Sequence, residues 1–388
     1  MQKHPHYDIV VIGAGIQGAG VAQAAAACGY KTLVIEKSPQ AGMGTSSKSS
    51  KLIHGGLRYL ESGQFKLVKE CLLERKRLLK NAPELVKLIP FYIPVYTHSQ
   101  RPAWLIWIGL LIYSVFSFKP FSIVKESDWE TLDYLNLKNV KHIFKYYDAQ
   151  TDDKKLTRAV INSAKKLGAD VEYDSDFTAS QIHQNSHQIT YIKNSKHHTI
   201  TCQCIVNCTG PWITSTQEKI SPLLQTPPIE LVAGTHIIIN RVIEQGIFYI
   251  EAEDKRAVFV MPWKEKLTLI GTTERLYTGK ADDIAPTENE IIYLLKTYNR
   301  YFNAQATHDN IIDSFAGLRV FPASSKSAFN KSRESLIIHN SEQPGLVALI
   351  GGKLTAYRAS SEDVLLKVKK ILGPPDRARS CSTKNIKL

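Results

Sequence analysis

Two short apolar runs, Tyr7–Ile12 and the run from Lys31 to Ile35, flank a glycine-rich turn and an alanine-rich stretch, Gly20–Cys28, which Gly29 ends. Apolar runs of this length suit strands buried on both faces, and the alanines between them suit a helix. The segment therefore predicts a βαβ unit and a doubly wound parallel sheet. Farther along, apolar residues at helical spacing predict helices over Phe65–Leu79, Leu156–Leu167 and Glu288–Tyr301, with a strand at Val171–Tyr173. Period-two alternation from Ser180 to Val206 reads as strand. The runs Leu231–Asn240, Gly246–Ile250, Ala257–Met261 and Leu267–Gly271 predict an antiparallel sheet. Leu346–Ile350 is a further buried strand, and Gly351-Gly352 opens a last helix from about Thr355 to Leu372, which Pro374-Pro375 end. The polar, basic tail beyond is predicted to be mobile.

With 388 residues, two domains are expected, and 43% hydrophobic against 22% charged residues excludes wholesale disorder. The net charge of +13 favours anionic partners: phosphorylated substrates, acidic lipid or nucleic acid. No basic strip with interleaved aromatics is present, so no nucleic acid is expected. Six cysteines are too few for a disulfide scaffold, and the spacing of Cys202, Cys204 and Cys208 matches no common zinc site. They read as small buried filler, and no metal is expected. The N-terminus passes straight into a strand without a cleavable leader pattern, which predicts a cytoplasmic, reducing location. Trp104–Phe118 is the longest uncharged apolar stretch. It is shorter than the about 20 residues a spanning helix needs, so it is expected to be buried or to lie in an interface.

The turn after the first strand reads Gly13-Ala14-Gly15-Ile16-Gln17-Gly18. The first glycine permits the turn, the second lets a pyrophosphate approach the backbone, and the third lets helix and strand pack closely. Glu36 ends the second strand, where a carboxylate accepts hydrogen bonds from an adenosine ribose. A dinucleotide site follows, and its place at the chain start tilts it towards FAD. The hydroxyl-rich stretch containing Thr45, Ser46, Ser47 and Ser50 lies within reach of the remaining phosphate and the flavin. Gly210, at the end of a strand, and Gly352-Lys353-Leu354-Thr355, joining a strand to a helix, add two more candidate cofactor contacts.

The run Ser49-Ser50-Lys51-Leu52-Ile53-His54-Gly55-Gly56-Leu57-Arg58-Tyr59-Leu60-Glu61 strongly resembles the signature of FAD-dependent glycerol-3-phosphate dehydrogenases. Similarity continues through Arg101–Trp104, Asn207–Trp212, Asp254-Lys255-Arg256, Pro262-Trp263, Gly271-Thr272-Thr273 and Gly351–Arg358, in one order over nearly the whole chain. The resemblance implies an α/β fold: a discontinuous Rossmann-like FAD-binding domain (1–75, 145–215 and 310–373) and an α+β substrate-binding cap built on an antiparallel sheet (76–144 and 216–309). The mobile tail takes 374–388. It implies oxidation of sn-glycerol 3-phosphate to dihydroxyacetone phosphate, with electrons passed to membrane quinone or to oxygen.

Carried onto this chain, the resemblance makes Arg58 and Tyr59 phosphate-end ligands and puts Lys353 and Thr355 at the junction of substrate and flavin. Arg319 becomes the active-site arginine and His236 the substrate-facing histidine. His54 is a rival base. The residue types suit the chemistry, since a phosphate dianion wants fork-shaped cationic donors and a secondary alcohol needs a base for its proton. The family continues into a further helical domain where this sequence stops at Leu388, Glu274 replaces an expected aspartate, and Val320 stands where a proline is expected. Competing readings are an FAD enzyme for another hydroxy acid or amine, and a truncated flavoprotein without catalysis. Contact of the Trp104–Phe118 stretch with anionic lipid on the inner membrane face is expected, and a homodimer is left open.

Overall fold

The structure is a computed structural model that describes residues 4–61, 63–183, 186–323, 335–340, 345–375 and 379–388, the side chain of Arg58 excepted. Among the described residues the chain builds two sheets, of nine and ten strands. The parallel centre of the first runs, in spatial order, Asp170–Glu172, Thr32–Ile35, His6–Ile12, Lys196–Asn207 and Leu346–Ile350. Ser186–Lys193 pairs antiparallel with the first half of Lys196–Asn207, and Ser175–His183 pairs antiparallel with Ser186–Lys193 in turn.

The helix Ile16–Cys28 is buried on nearly all sides. It packs together with Asp153–Lys166 and Tyr357–Leu372 on one face of this sheet, in a core that joins Ala22, Ala25, Leu156, Val160, Val364 and Leu365. Alanine is the residue that lets three helices and a sheet approach so closely, which explains the composition of that stretch. Asp152 caps the second of these helices by accepting from the Lys155 N–H at 3.0 Å.

The second sheet is mixed and mostly antiparallel. Its order is Arg275–Tyr277, Ile229–Ile239, Leu267–Gly271, Ala257–Trp263, Ile247–Glu251, Val86–Tyr96, Val140–Thr151 and Leu52–Ile53, with Ile311–Pro322 also paired to Ile229–Ile239. Helix Glu288–Tyr301 covers one face, burying Leu294, Leu295 and Tyr298 beside Ile237, Phe248 and Ile270. Its bounds match those predicted, as do those of Leu346–Ile350.

Several expectations are corrected. Residues 145–151 and 311–322, assigned to the cofactor domain, run in the second sheet, because pairing partners rather than local pattern decide where a strand lies. The described tail residues are docked, not mobile. Thr383 is buried, accepts from Arg358 Nη1 at 3.0 Å and donates to Glu362 at 2.9 Å, while the Leu388 N–H donates to the Asn81 carbonyl at 2.9 Å. Cys28 and Cys381 are joined as a disulfide with Cα atoms 4.2 Å apart. The filler reading holds for Cys202, Cys204 and Cys208, which are buried outside any disulfide, and burial pushes the thiols of Cys204 and Cys208 up to about 12.

The Trp-rich stretch forms helix Ala103–Ser117, in which only Leu110 and Tyr113 are buried. Trp104 is 64% exposed, Val115 63% and Phe118 85%. Among the described residues no helix is long and apolar enough to cross a membrane.

Candidate active site

A cleft of about 640 Å³ runs along the carboxyl ends of the parallel strands, from Glu36 to Thr355. Gly13 and Gly15 line its start. Gly13 is in the left-handed region at φ +98°, and a Cβ on Gly18 would stand 1.9 Å from the Gly13 carbonyl oxygen. Gly18 therefore does not line the cleft. It lets the helix lie against the turn, and Ile16 and Gln17 at the helix start line the cleft. Glu36 fixes the same turn, its carboxylate accepting from the Ala14 N–H at 2.6 Å and from the Ser38 N–H at 2.9 Å.

The hydroxyl-rich loop folds over the turn. Ser46 Oγ accepts from the Ile16 N–H at 2.9 Å, and Thr45 Oγ1 donates to the Leu318 carbonyl at 3.0 Å. Both line the cleft, as does Ser50. Ser47 does not: its hydroxyl turns back onto the Met43 and Gly44 carbonyls. A buried ion pair pins the loop, with Lys51 Nζ 2.6 Å from Asp153 Oδ1 while Asp153 also accepts from the amide and hydroxyl of Ser49.

The far end of the cleft gathers His54, Tyr59, His236, Arg319, Gly352, Lys353, Leu354 and Thr355, and Gly210 lines it as well. Lys353 Nζ lies 3.8 Å above the centre of the Tyr59 ring and 3.6 Å from Cys71 Sγ. His236 is buried, stacks on Phe315 with ring centres 4.9 Å apart, and shares a 2.9 Å hydrogen bond between Nε2 and Ser50 Oγ. Burial first, then the charges of Arg319 and Lys51, hold its imidazole well below its ordinary value, so it is neutral at physiological pH. Arg319 Nη1 meets Glu274 Oε1 at 3.0 Å and Nη2 donates to Thr272 Oγ1 at 3.3 Å.

A smaller pocket of about 90 Å³ opens beside this end. It shares Ser50, Leu52, His54, Tyr59 and Arg319 with the cleft, whereas His236 lines the cleft alone. Phe91, Tyr146, Tyr249 and Phe259 form its aromatic wall, and Arg256 and Glu274 its polar side. The main-chain helix at Arg58–Glu61 is described, but the side chain of Arg58 lies outside the described residues.

The sequence reading missed the aromatic wall and Arg256 as site residues. The only local signal for Arg256 is its place in the Asp254-Lys255-Arg256 run. It also missed the closure at the Glu36 end. There Lys37 Nζ sits 4.0 Å above the Trp212 ring, and both Lys37 and the Trp212 indole N–H bind Asp282, at 2.8 and 2.9 Å.

The sequence profile of the FAD dependent oxidoreductases matches residues 8–358. The chain belongs to that family. This family member is 38% identical over 371 residues to the aerobic glycerol-3-phosphate dehydrogenase of Escherichia coli K12, covering 93% of this chain and 73% of that one. It is 34% identical over 377 residues to the D-erythritol 1-phosphate dehydrogenase of Brucella abortus, covering 94% and 74%. Its fold matches the crystal structure of the Bacillus halodurans glycerol-3-phosphate dehydrogenase complexed with FAD, with a TM-score of 0.79 and 25% identity over 99% of this chain and 68% of that one. The cofactor of the family fits the residues present. The elongated cleft has a glycine turn and a helix start at one end, a buried carboxylate beside them, and a Cβ built on Gly210 would meet no protein atom within 4 Å.

Proposed function

We propose that this chain oxidises sn-glycerol 3-phosphate to dihydroxyacetone phosphate and passes the electrons on to membrane quinone. FAD supplies the hydride acceptor when bound. The observation that carries the reading is the small pocket that opens onto the cofactor cleft and shares Arg319, Tyr59 and His54 with it. The guanidinium groups of Arg319 and Arg256 on its polar side suit a phosphate dianion, which they bind in fork geometry. Tyr59, whose ring carries the Lys353 ammonium, keeps a further cation at the boundary between substrate and cofactor.

Oxidising a secondary alcohol removes a hydride from carbon and a proton from oxygen. His54 lines both compartments and is the group we assign to receive that proton. His236, walled into the cleft and bonded to Ser50, positions Ser50 and the cleft wall. A hydroxy acid or amine lacks the phosphate dianion that the cationic side of this pocket suits. A second reading, a four-carbon polyol phosphate, is favoured by the similarity to the D-erythritol 1-phosphate dehydrogenase.

Purified holoprotein mixed anaerobically with glycerol 3-phosphate should lose its visible flavin band. Bleaching by D-erythritol 1-phosphate alone would move the assignment to the second reading. Bleaching by dithionite but by neither ester would reject both. The exposed apolar face of helix Ala103–Ser117, on a chain of net charge +13, supports peripheral seating on anionic lipid at the cytoplasmic face of the membrane.

A further inference from the structure

Behind the His54 turn lies a buried polar chain that the chemistry above does not use. The Tyr113 hydroxyl accepts from the Gly55 N–H at 2.8 Å and donates to Asp148 Oδ2 at 2.5 Å. Asp148 Oδ1 receives Arg75 Nη1 at 2.5 Å, and the same nitrogen donates to the Tyr147 carbonyl at 2.9 Å. All three residues are 3% exposed or less. Burial holds the Tyr113 phenol well above its ordinary value, so it keeps its proton for Asp148.

Gly55 stands between His54 and Gly56, which both line the small pocket. A Cβ there would lie 2.6 Å from the Tyr113 oxygen and 2.7 Å from Leu72, so only glycine lets the phenol reach this amide. The preceding amide is held the same way, the His54 N–H donating to Thr355 Oγ1 at 3.2 Å. Two successive amides that lie outside any strand or helix are thus fixed by hydroxyls from residues 301 and 58 positions away. The Tyr113 ring also packs edge-on against Tyr146, part of the aromatic wall, at 5.7 Å.

A buried arginine–carboxylate pair is weak evidence for stability, since apolar residues of the same volume commonly hold a core as well. What this chain adds is one hydrogen bond aimed at one backbone amide. We infer that Tyr113, itself held by Asp148 and Arg75, is a positioning residue for the oxidation: it fixes the main chain at Gly55 and thereby the place of the His54 imidazole between cleft and pocket. The inference rests on the proposed role of His54.

Tyr113→Phe removes the hydroxyl and keeps the ring. Leu110→Ala, at the other buried position of the same helix, loosens the packing and leaves the hydroxyl in place. With both variants as FAD-loaded protein, rapid mixing with saturating glycerol 3-phosphate reads the rate of flavin bleaching, and thermal melts read stability. Tyr113→Phe should retain FAD and KM but bleach about ten- to a hundredfold more slowly, the scale expected for a misplaced reacting group. Leu110→Ala should melt lower yet bleach at close to the wild-type rate. The inference is overturned if Tyr113→Phe bleaches like the wild type, if both variants slow in step with their melting temperatures, or if Tyr113→Phe fails to fold or to hold FAD, since each makes the hydroxyl an ordinary structural contact. A wild-type chain that is not bleached at all fails the reaction itself and takes the inference with it.

Discussion

The Oγ1 of Thr355 accepts a hydrogen bond from the backbone amide of His54 at 3.2 Å, tying the signature turn near the start of the chain to the loop that precedes its last long helix. Candidate cofactor and substrate contacts from distant segments thereby converge on one short stretch of main chain, and the residues around it define what can be tested.

Glu36 lines the cleft, is our candidate for the ribose contact, and braces the glycine turn through Ala14. Glu36→Ala should weaken FAD binding roughly ten- to a hundredfold, the worth of a charged hydrogen bond. Titration of the apoprotein with FAD, followed by flavin fluorescence, checks this, and an unchanged affinity would remove Glu36 from the site.

Arg319 reaches both compartments. Arg319→Ala should lower kcat/KM for glycerol 3-phosphate by roughly ten- to a hundredfold, the worth of a charged hydrogen bond. The visible flavin spectrum should stay in place. Arg319→Lys, which keeps the charge but not the fork, should recover only part of the loss. Full activity in the lysine variant would mean that charge alone suffices.

His236 is neutral in the fold because burial depresses its proton affinity. In the unfolded chain it takes up a proton below pH about 6.5, so the unfolded state binds more protons in the window below that value. Stability must then fall as the pH drops below about 6.5, by up to ~1.4 kcal/mol per pH unit from this group. In melts at a series of pH values, His236→Gln should show a shallower acid slope than the wild type. Parallel slopes would show that the imidazole titrates normally.

Arg358 binds both oxygens of buried Glu74 at 2.7 Å and carries Thr383 of the tail. Arg358→Ala leaves the Glu74 carboxylate with Arg77 alone and should cost ~1.5–3 kcal/mol in denaturant melts, with flavin reduction preserved in the protein that remains folded. A loss below ~1 kcal/mol would mean water replaces the guanidinium at low cost.

The exposed face of helix Ala103–Ser117 predicts lipid binding. The double variant Trp104→Ser, Trp107→Ser should lose co-sedimentation with vesicles containing anionic phospholipid while keeping its bleaching rate in solution. If vesicles leave the wild type in the supernatant and it sediments as a dimer that the variant lacks, the face joins two copies of the chain instead.

Much of the cofactor half was legible because its signals are local. Strand, glycine turn, helix and terminal acid lie within the first thirty-six residues, and the structure puts Gly13, Gly15 and Glu36 on one cleft. The strand Val86–Tyr96 escaped notice because Pro90 and Pro94 interrupt its alternation. Its ladder tolerates them while the rest of the strand pairs with Val140–Thr151. Strand Ile311–Pro322 carries no strand reading in the sequence, and only its pairing with Ile229–Ile239 in the fold reveals it. Arg256, Tyr249 and Phe259 meet the signature turn only through tertiary folding, which leaves no trace in spacing. The tail reads as mobile from its polarity, yet Thr383 is buried because Arg358 and Glu362 on the last long helix offer it partners.

The order in which strands enter the two sheets has a further consequence. The chain visits the first sheet, crosses to the second at Leu52, returns at Asp170, leaves again at Ile229 and comes back at Leu336. Neither layer is a continuous stretch of gene, so neither could be excised, inherited or expressed without its counterpart. Evolution can lengthen such a protein at its ends or in its loops, but it cannot shuffle the half that holds the nucleotide away from the half that chooses the alcohol.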